Sequence, residues 1–353
     1  MKILYIGFGK KNSSIDGVYI RGLKKNGAEV LDFFFNQPGI KRFLSVTQCY
    51  WQNRDYDYII IGYASPQAAI LLGLISRKKV IYNALCSEFE RKVVSRNLAS
   101  RYSLKGFYYW FLDFLACHMS NLIMLETQHQ IDYFIRLFRI PSKKFFLAWT
   151  GVDEERFFYQ ANIQKYEFFT VVFRGRLLPE AGGEYVVDAA KILENEPIKI
   201  IMLANGMLLP KIQDKIRELK PKNLELITEF LSDERLREIM HKCHVSLGQL
   251  SSHDRLKRTI PHKAYESIAL RLPYLTARNP AVLELFKEGE TCIACEGANA
   301  KDLAEKVLWA KNNIDRLNVI ADNGYNLYKE KLTSVILAKN LLERIRDFQS
   351  SLP

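Results

Sequence analysis

Residues 170–203 read TVVFRGRLLPEAGGEYVVDAAKILENEPIKIIML, and this stretch decides the fold. The apolar run Thr170–Arg174 predicts a buried strand, Gly183–Leu193 has the spacing of a helix, and Ile198–Leu203 predicts a second buried strand. A strand, a helix and a strand in this order form a parallel pair joined by a helical crossover. The stretch therefore predicts a parallel sheet with helices packed on it.

The same alternation runs through the whole chain in two series of predicted strands. The first series is Ile3–Gly7, Glu29–Phe34, Tyr58–Gly62, Lys79–Tyr82, Leu122–Leu125 and Phe145–Ala148; the second is Thr170–Arg174, Ile198–Leu203, Leu224–Thr228, His244–Leu247, Tyr274–Thr276 and Thr291–Ala294. This pattern favours two doubly wound α/β domains, over residues 1–155 and 156–331, followed by a C-terminal helix over 332–353. Ligands of open parallel sheets bind beyond the carboxyl ends of the strands, so the expected site is a cleft between two facing domains.

The composition indicates a globular protein with anionic partners. Hydrophobic residues make up 48% of the 353 residues, and 51 Lys and Arg against 39 Asp and Glu give a net charge of +12. Such a charge favours phosphates, anionic membranes or nucleic acid. The chain has no recognisable groove-reading motif, so we expect no nucleic-acid partner.

The N terminus and the cysteines bear on the cellular compartment. Met1 leads directly into a strand pattern, without the features of a signal peptide. The apolar run Ala68–Ile75 is far shorter than the about 20 residues that cross a bilayer. We therefore expect a cytoplasmic protein, either soluble or peripheral on the inner face of the membrane. The 6 cysteines are expected to be free thiols. Cys292 and Cys295 lack the further ligands that a zinc site needs, so we expect no metal.

Glycines follow the first predicted strand, at Gly7 and Gly9, and Gly17 opens the next predicted helix. Glycine lets the backbone approach a ligand, and the start of a helix attracts anions. The spacing is not that of a dinucleotide fingerprint, so the loop does not indicate an NAD site. Two interpretations of Gly9 and Gly17 stay open, a donor-binding loop and an ordinary turn.

The segment Phe173–Gly183 carries a stronger signal. It follows a predicted strand and ends where a helix begins, and Gly182 and Gly183 suit a tight helix entry with exposed amides. Arg176 suits a bidentate contact with a diphosphate. The alternative is an arginine on the surface of a turn.

Basic residues also gather around a helix start that Pro261 marks. Lys257 and Arg258 lie just before it, and Lys263 lies in the first turn. Cations are unfavourable at the N-terminal end of a helix, so a bound polyanion would account for them. Glu266 follows one turn later, where its carboxylate suits ribose hydroxyls. The alternative is a solvated face with a glutamate that complements the helix dipole.

These segments resemble glycosyltransferase family 4, whose members are retaining enzymes with the GT-B fold. The likeness rests on Gly17–Val30, Asn121–Gln128, Trp149–Phe157, the donor-phosphate loop Gly175–Gly183 and the C-terminal signature Ile260–Glu284. Together they span nearly the whole chain in the family's order. The resemblance implies two Rossmann-like domains and transfer of a sugar from a nucleotide-diphosphate sugar.

Two positions depart from the family pattern. The family usually has a lysine in the donor loop where this chain has Ala181. Its paired glutamates, spaced E-x7-E, would place the first at Arg258, and only Glu266 is present. In the family the first glutamate contacts the transferred sugar and the second contacts the ribose. The resemblance thus implies ribose binding by Glu266, with Arg258, Lys257 or Lys263 in place of the missing lysine.

The resemblance also assigns roles around the donor. We expect Arg176, Lys263 and Arg258 to stabilise the leaving diphosphate, and the nucleobase to lie near Phe230 and Leu231. The remaining expected donor-binding residues are Gly9, Gly17, Gly182, Gly183, Lys257 and Glu266. No cofactor or metal is expected, because cationic side chains can stabilise a diphosphate. The alternative function is a catalytically degenerate GT-B protein that serves as a binding or scaffold module.

The segment Arg91–Phe111 concerns the acceptor. Its cations, without any acidic residue among them, are Arg91, Lys92, Arg96, Arg101 and Lys105. It ends in the aromatic run Phe107–Phe111, a combination that suits an anionic membrane surface. With the resemblance, this predicts a glycan or lipid-linked acceptor in cell-surface polysaccharide or glycolipid synthesis. The alternative places the aromatics in the core and the cations on a solvated face.

Overall fold

The computed structural model describes residues 1–9 and 14–350, and two six-stranded sheets contain every predicted strand. Contacts divide the chain into two compact units. Unit 1 holds Met1–Asp153 together with the described residues after Glu330, and unit 2 holds Glu154–Glu330. The predicted α/β class with two doubly wound sheets is confirmed.

Unit 1 is built on a parallel sheet with helices between its strands. Its strands are β1 (Lys2–Phe8), β2 (Glu29–Phe35), β3 (Tyr58–Ile61), β4 (Lys79–Leu85), β5 (Leu122–Leu125) and β6 (Phe145–Leu147). The helices between them are α1 (Ser14–Lys25), α2 (Ile40–Gln52), α3 (Pro66–Ile75), α4 (Leu104–Met119) and α5 (Gln128–Phe138). The strand order is β2-β1-β3-β4-β5-β6, and it reverses between β1 and β3.

Unit 2 repeats this construction. Its strands are β7 (Phe169–Arg176), β8 (Ile198–Asn205), β9 (Leu224–Ile227), β10 (Val245–Leu247), β11 (Tyr274–Ala277) and β12 (Ile293–Cys295). Its helices are α6 (Gly183–Ile192), α7 (Leu209–Leu219), α8 (Asp233–Lys242), α9 (His262–Ala269), α10 (Pro280–Leu285), α11 (Ala300–Asn312) and α12 (Ile314–Lys331). The order β12-β11-β10-β7-β8-β9 reverses between β7 and β10. This reversal opens a crevice at the carboxyl ends of those two strands, where ligands of such sheets bind.

The C-terminal helix α13 (Ser334–Ser350) packs on unit 1. It lies beside α1, and the approach is so close that a Cβ at Gly22 would stand 1.9 Å from the carbonyl oxygen of Ser334. Ile3 and Tyr5 pack on the side of α1 and α13, whereas Leu4 and Ile6 pack on the side of α2–α5. The sheet is therefore buried on both faces, as parallel sheets are.

Three properties of the described residues bear on chemistry and location. No helix within residues 1–9 and 14–350 is long and apolar enough to cross a membrane. All six cysteines are buried and free. The described part of the chain contains no group of three His, Cys, Asp or Glu side chains placed to hold a metal ion.

Candidate functional site

A buried ammonium group lies at the carboxyl ends of β7 and β10. Lys263 is on the first turn of α9, and its Nζ donates a hydrogen bond to the carbonyl oxygen of Gly248, 3.2 Å away, just after β10. On the other side it faces Gly175 near the end of β7, where an added Cβ would be 3.7 Å from Nζ. Gly175 has φ +134°, a conformation that favours glycine. Because both neighbours are glycines, the ammonium lies against backbone on both sides, with no side chain between.

Burial sets the charge of Lys263. The residue is 7% exposed, and its Nζ lies 4.2 Å from the centroid of the Phe173 ring. Removal from water, and then the nearby Arg174 guanidinium, lower the pKa of Lys263 to about 7. A buried cation with few partners is costly, so binding of an anion beside it is energetically favourable.

Arg174 and Glu266 form an ion pair beside this lysine. Glu266 is 7% exposed, so its carboxylate does not lie on a solvated face. Arg174 comes from β7, and its guanidinium lies 5.2 Å from the centroid of the Phe157 ring. Burial, and then the charge of Arg156, lower the pKa of Arg174 to about 10. The pair fixes the position of the carboxylate that the sequence assigns to ribose.

His262 adds a polar atom without a partner. Its Nε2 is buried, and no described residue forms a hydrogen bond with it. Burial, and then the charge of Arg174, lower the pKa of His262 to about 4, so the imidazole is neutral near neutral pH. Buried polar atoms without partners are rare in proteins, and a bound ligand is one explanation for such an atom.

The loop between β7 and α6 is held rigidly against the loop after β10. Gly182 has φ +71°, and a Cβ there would lie 2.6 Å from the amide nitrogen of Ser251. The Ser251 hydroxyl donates to the carbonyl oxygen of Glu180 at 3.0 Å, and Arg255 pairs with the Glu180 carboxylate at 2.7 Å. The predicted tight helix entry is present, with α6 beginning at Gly183.

Arg176 extends from the same loop into solvent. It is exposed, and its side chain has no hydrogen bond or ion pair with any residue that the structure describes. A free guanidinium at the end of β7 can reach a ligand without first breaking an ion pair. The surface-arginine alternative agrees with the same exposure, so only a binding measurement separates the two.

The predicted basic cluster before α9 is not a single cationic patch. Lys257 pairs with Asp254 at 3.2 Å, and Arg258 pairs with the other oxygen of Asp254 at 2.7 Å. Arg255 is engaged by Glu180. Asp254 and Glu180 thus compensate most of the positive charge that the sequence predicts for this cluster. Lys263 is the cation that α9 brings to the strand ends.

Residues 153–327 match the sequence model of the family described as glycosyl transferases group 1. These residues are a group 1 glycosyltransferase domain. No curated protein sequence matches the chain.

Solved structures resemble the chain over both units. The Anabaena protein Alr3699/HepE, solved in complex with UDP and glucose, is 16% identical, with a TM-score of 0.75 over 98% of this chain and 100% of that chain. Sucrose-phosphate synthase from Thermosynechococcus elongatus is 13% identical, with a TM-score of 0.78 over 100% of both chains. A glycosyltransferase from Rickettsia africae is 12% identical, with a TM-score of 0.68 over 99% of both. The chain has the GT-B fold.

The glycosyltransferase domain differs from the family pattern in its donor loop. Ala181, at the position of the usual lysine, is 1% exposed and belongs to the apolar core of unit 2. Lys263 is an ammonium group on a different element, α9, and it lies near the end of the same strand. Lys263 is one of three cations that the sequence predicts for this role, and it differs from Lys257 and Arg258 because those two pair with Asp254.

The other predicted donor residues lie in separate places. Phe230 is 94% exposed and Leu231 is half-buried, in the loop after β9 of the glycosyltransferase domain. The Asn205 amide donates to the carbonyl oxygen of Thr228 at 2.8 Å, which ties this loop to the end of β8. Gly9 and Gly17 belong to unit 1. Helix α1 begins at Ser14, so the prediction that Gly17 opens it is wrong.

Proposed function

We propose that the protein transfers a sugar from a nucleotide-diphosphate sugar to a glycan or lipid-linked acceptor, with retention of anomeric configuration. The observation that carries the proposal is the buried Lys263 ammonium at the strand reversal of a group 1 glycosyltransferase domain. Open parallel sheets bind ligands at this point, and a desolvated cation there gains from a diphosphate. Cell-surface polysaccharide or glycolipid synthesis is the proposed setting.

The chemical step needs stabilisation of a leaving diphosphate. The bond between the anomeric carbon and the diphosphate oxygen breaks, and the diphosphate keeps the electron pair. Lys263 and Arg176 are proposed to contact this diphosphate, together with the backbone amides where α6 begins at Gly183. Cationic groups perform this role in the proposal without a metal ion or other cofactor.

The nucleoside is proposed to lie along the ends of β7, β8 and β9. Glu266, held by Arg174, accepts hydrogen bonds from ribose hydroxyls, and the base lies against Phe230 and Leu231. The Anabaena structure, solved with UDP and glucose, makes uridine nucleotides the first to test. Neutral His262 offers a further hydrogen bond to the ligand through its buried Nε2.

Turnover separates this proposal from a second candidate, a GT-B protein that binds without catalysis. The second candidate rests on Ala181 and Arg258, which depart from the family pattern. The purified protein is incubated with UDP-, GDP- and ADP-sugars, and release of the nucleoside diphosphate is measured. Release that saturates with one sugar nucleotide supports transfer. Binding without release favours the scaffold protein. If the protein shows no binding and no release, both candidates are contradicted.

Arg176→Ala is expected to weaken donor use while leaving the fold intact. The side chain has no described partner, so its removal leaves unfolding temperature unchanged. Loss of a charge-assisted contact to the diphosphate is worth about 1.5–3 kcal/mol, which lowers kcat/KM roughly 10- to 150-fold. Steady-state kinetics with wild type and an Arg217→Ala control, which alters an arginine on α7, measure this. Unchanged kinetics in Arg176→Ala would remove it from the site.

Peripheral membrane association is proposed through Arg91–Phe111. Within the aromatic run, Phe107 and Tyr108 are 56% and 52% exposed, whereas Tyr109 and Trp110 are half-buried. Arg91 and Lys92 pair with Glu88, just outside the segment, so fewer cations face an anionic surface than the sequence predicts. The protein is proposed to be cytoplasmic, with this surface turned to the inner face of the membrane.

Co-sedimentation with vesicles tests this association. Wild type is expected to pellet with anionic vesicles at low salt, to pellet less at high salt, and to stay in solution with neutral vesicles. The double variant Arg101→Gln/Lys105→Gln removes two exposed cations and is expected to stay in solution. Equal pelleting with neutral and anionic vesicles, or no pelleting, contradicts the electrostatic attraction.

A further inference from the structure

Small-ligand sites are cavities of roughly 300–1,000 Å³, and unit 1 contains one of about 520 Å³ beside the start of α4. Its apolar walls are Phe89, Phe107, Trp110, Tyr133 and Leu137. They come from three parts of the chain: the segment after β4, helix α4 and helix α5. None belongs to the donor crevice, which lies in unit 2.

Stacked aromatic rings shape the floor of this cavity. Phe107 stacks on Trp110 at 5.8 Å between centroids, and Trp110 stacks on Phe114 at 5.3 Å. Trp110 also packs against Phe138 of α5 at 6.2 Å, which ties the wall to the core of unit 1. Rings fixed in this way form a preformed apolar surface rather than a loose group of side chains.

Large apolar side chains in the same stretch of sequence as the cavity wall are exposed. Tyr102, which lines the cavity, is 93% exposed, and Leu98 and Leu104 are 52% and 90% exposed. Burial of a large apolar side chain against an apolar partner is favourable by roughly 1.5–3 kcal/mol. Exposed apolar side chains of this size are therefore available to an apolar ligand.

Arg101 is a cation that lines the cavity. It is exposed, and its side chain makes no ion pair with a residue that the structure describes. An apolar interior with an unpaired cation at its wall complements a molecule with an apolar tail and an anionic head.

We propose that this cavity binds a single-tailed anionic amphiphile, with the tail between α4 and α5 and a phosphate-type head at Arg101. The inference does not depend on the donor site, since every residue that carries it lies in unit 1. If the transferase proposal also holds, the bound amphiphile is its acceptor.

Calorimetric titration of the full chain with farnesyl phosphate, below its micelle concentration, tests the proposal. Two control ligands are titrated in the same way: farnesol, which lacks the charge, and inorganic phosphate, which lacks the tail. Both are expected to bind at least about tenfold more weakly than farnesyl phosphate, because each retains half of the complementary contacts. Equal binding of farnesol and farnesyl phosphate, or no binding of farnesyl phosphate, overturns the proposal.

Two variants locate the ligand, each with a matched control. Leu137→Trp fills the cavity and Arg101→Gln removes the cation at its wall, and each is expected to weaken farnesyl phosphate about tenfold or more. Leu74→Trp, at an exposed position of α3, and Arg77→Gln, after α3, are expected to bind as wild type does. Phe107→Ala opens the wall without overpacking and covers the case in which Leu137→Trp fails to fold.

The Leu137→Trp variant separates binding inside the cavity from binding to the exposed surface around it. If Leu137→Trp, shown to be folded, binds farnesyl phosphate normally, the tail does not enter the cavity and the proposal fails. Nucleotide affinity of the same variants is expected to equal that of wild type. A nucleotide that binds to none of the proteins would overturn the donor proposal and leave this one intact.

Discussion

Lys263→Met is expected to weaken binding of the donor nucleotide sugar by roughly 10- to 150-fold, the value of a charge-assisted contact. The ammonium lies between Gly175 and Gly248 at the strand reversal, and methionine keeps most of the buried volume without the charge. Lys257→Met is the matched control, because that lysine is 62% exposed and paired with Asp254. Equal donor affinity of Lys263→Met and wild type would exclude Lys263 from the site.

The same substitution is expected to stabilise the empty protein. The pKa of Lys263 is about 7 in the folded protein and 10.5 for a free lysine, so the unfolded chain binds more protons between these values. Stability therefore rises with pH across that range, and the lysine opposes folding most below about pH 7. The unfolding temperature of Lys263→Met at neutral pH should be higher than that of wild type, and the difference should narrow toward pH 10. A lower unfolding temperature would point to a structural lysine.

Donor affinity should also depend on pH through this lysine. Binding favours the charged form, so affinity is expected to be constant below about pH 7 and to fall above it, where binding must take up a proton. The diphosphate of a sugar nucleotide does not titrate near neutral pH, so the change reports on the protein. Calorimetry across this range should show the slope in wild type and its loss in Lys263→Met.

Glu266→Gln is expected to lower the stability of unit 2 and to raise the Kd of the donor. Removal of one charge from a buried ion pair leaves Arg174 uncompensated, at a cost of about 3 kcal/mol. Glu225→Gln is the control, because its pair with Lys199 is exposed and contributes at most about 1 kcal/mol. Thermal unfolding measures the first effect. Equal unfolding temperatures for Glu266→Gln and Glu225→Gln would contradict the buried pair.

A deoxynucleotide separates the ribose contact from this loss of stability. If the Glu266 carboxylate accepts from ribose hydroxyls, wild type binds the deoxynucleotide more weakly than the nucleotide, and Glu266→Gln binds the two alike. Arg174→Gln breaks the same ion pair from the other side and should still prefer the hydroxylated ligand. A full preference retained by Glu266→Gln would leave the residue as a partner of Arg174 alone.

The strands were predictable because each is a short apolar run that a parallel sheet buries on both faces, as at Tyr58–Ile61. The charged residues of the site are harder to predict from the sequence. Arg174 ends a predicted strand, and its pairing with Glu266 brings together positions distant in sequence. Asp254 is close in sequence to the cations that it pairs with, so this pairing is visible in the sequence. Burial of Lys263 depends on where α9 meets β7, which no local pattern reveals.

We propose above all that the strand reversal in unit 2 binds a nucleotide diphosphate through Lys263. Thermal unfolding of wild type and Lys263→Met in the presence of UDP, GDP, ADP and their sugars tests it most directly. A ligand at about 100 times its Kd stabilises the folded state by about 2.7 kcal/mol. We expect one nucleotide series to raise the unfolding temperature of wild type and to lose most of that effect in Lys263→Met. No stabilisation by any series, or an equal rise in both proteins, would contradict the claim.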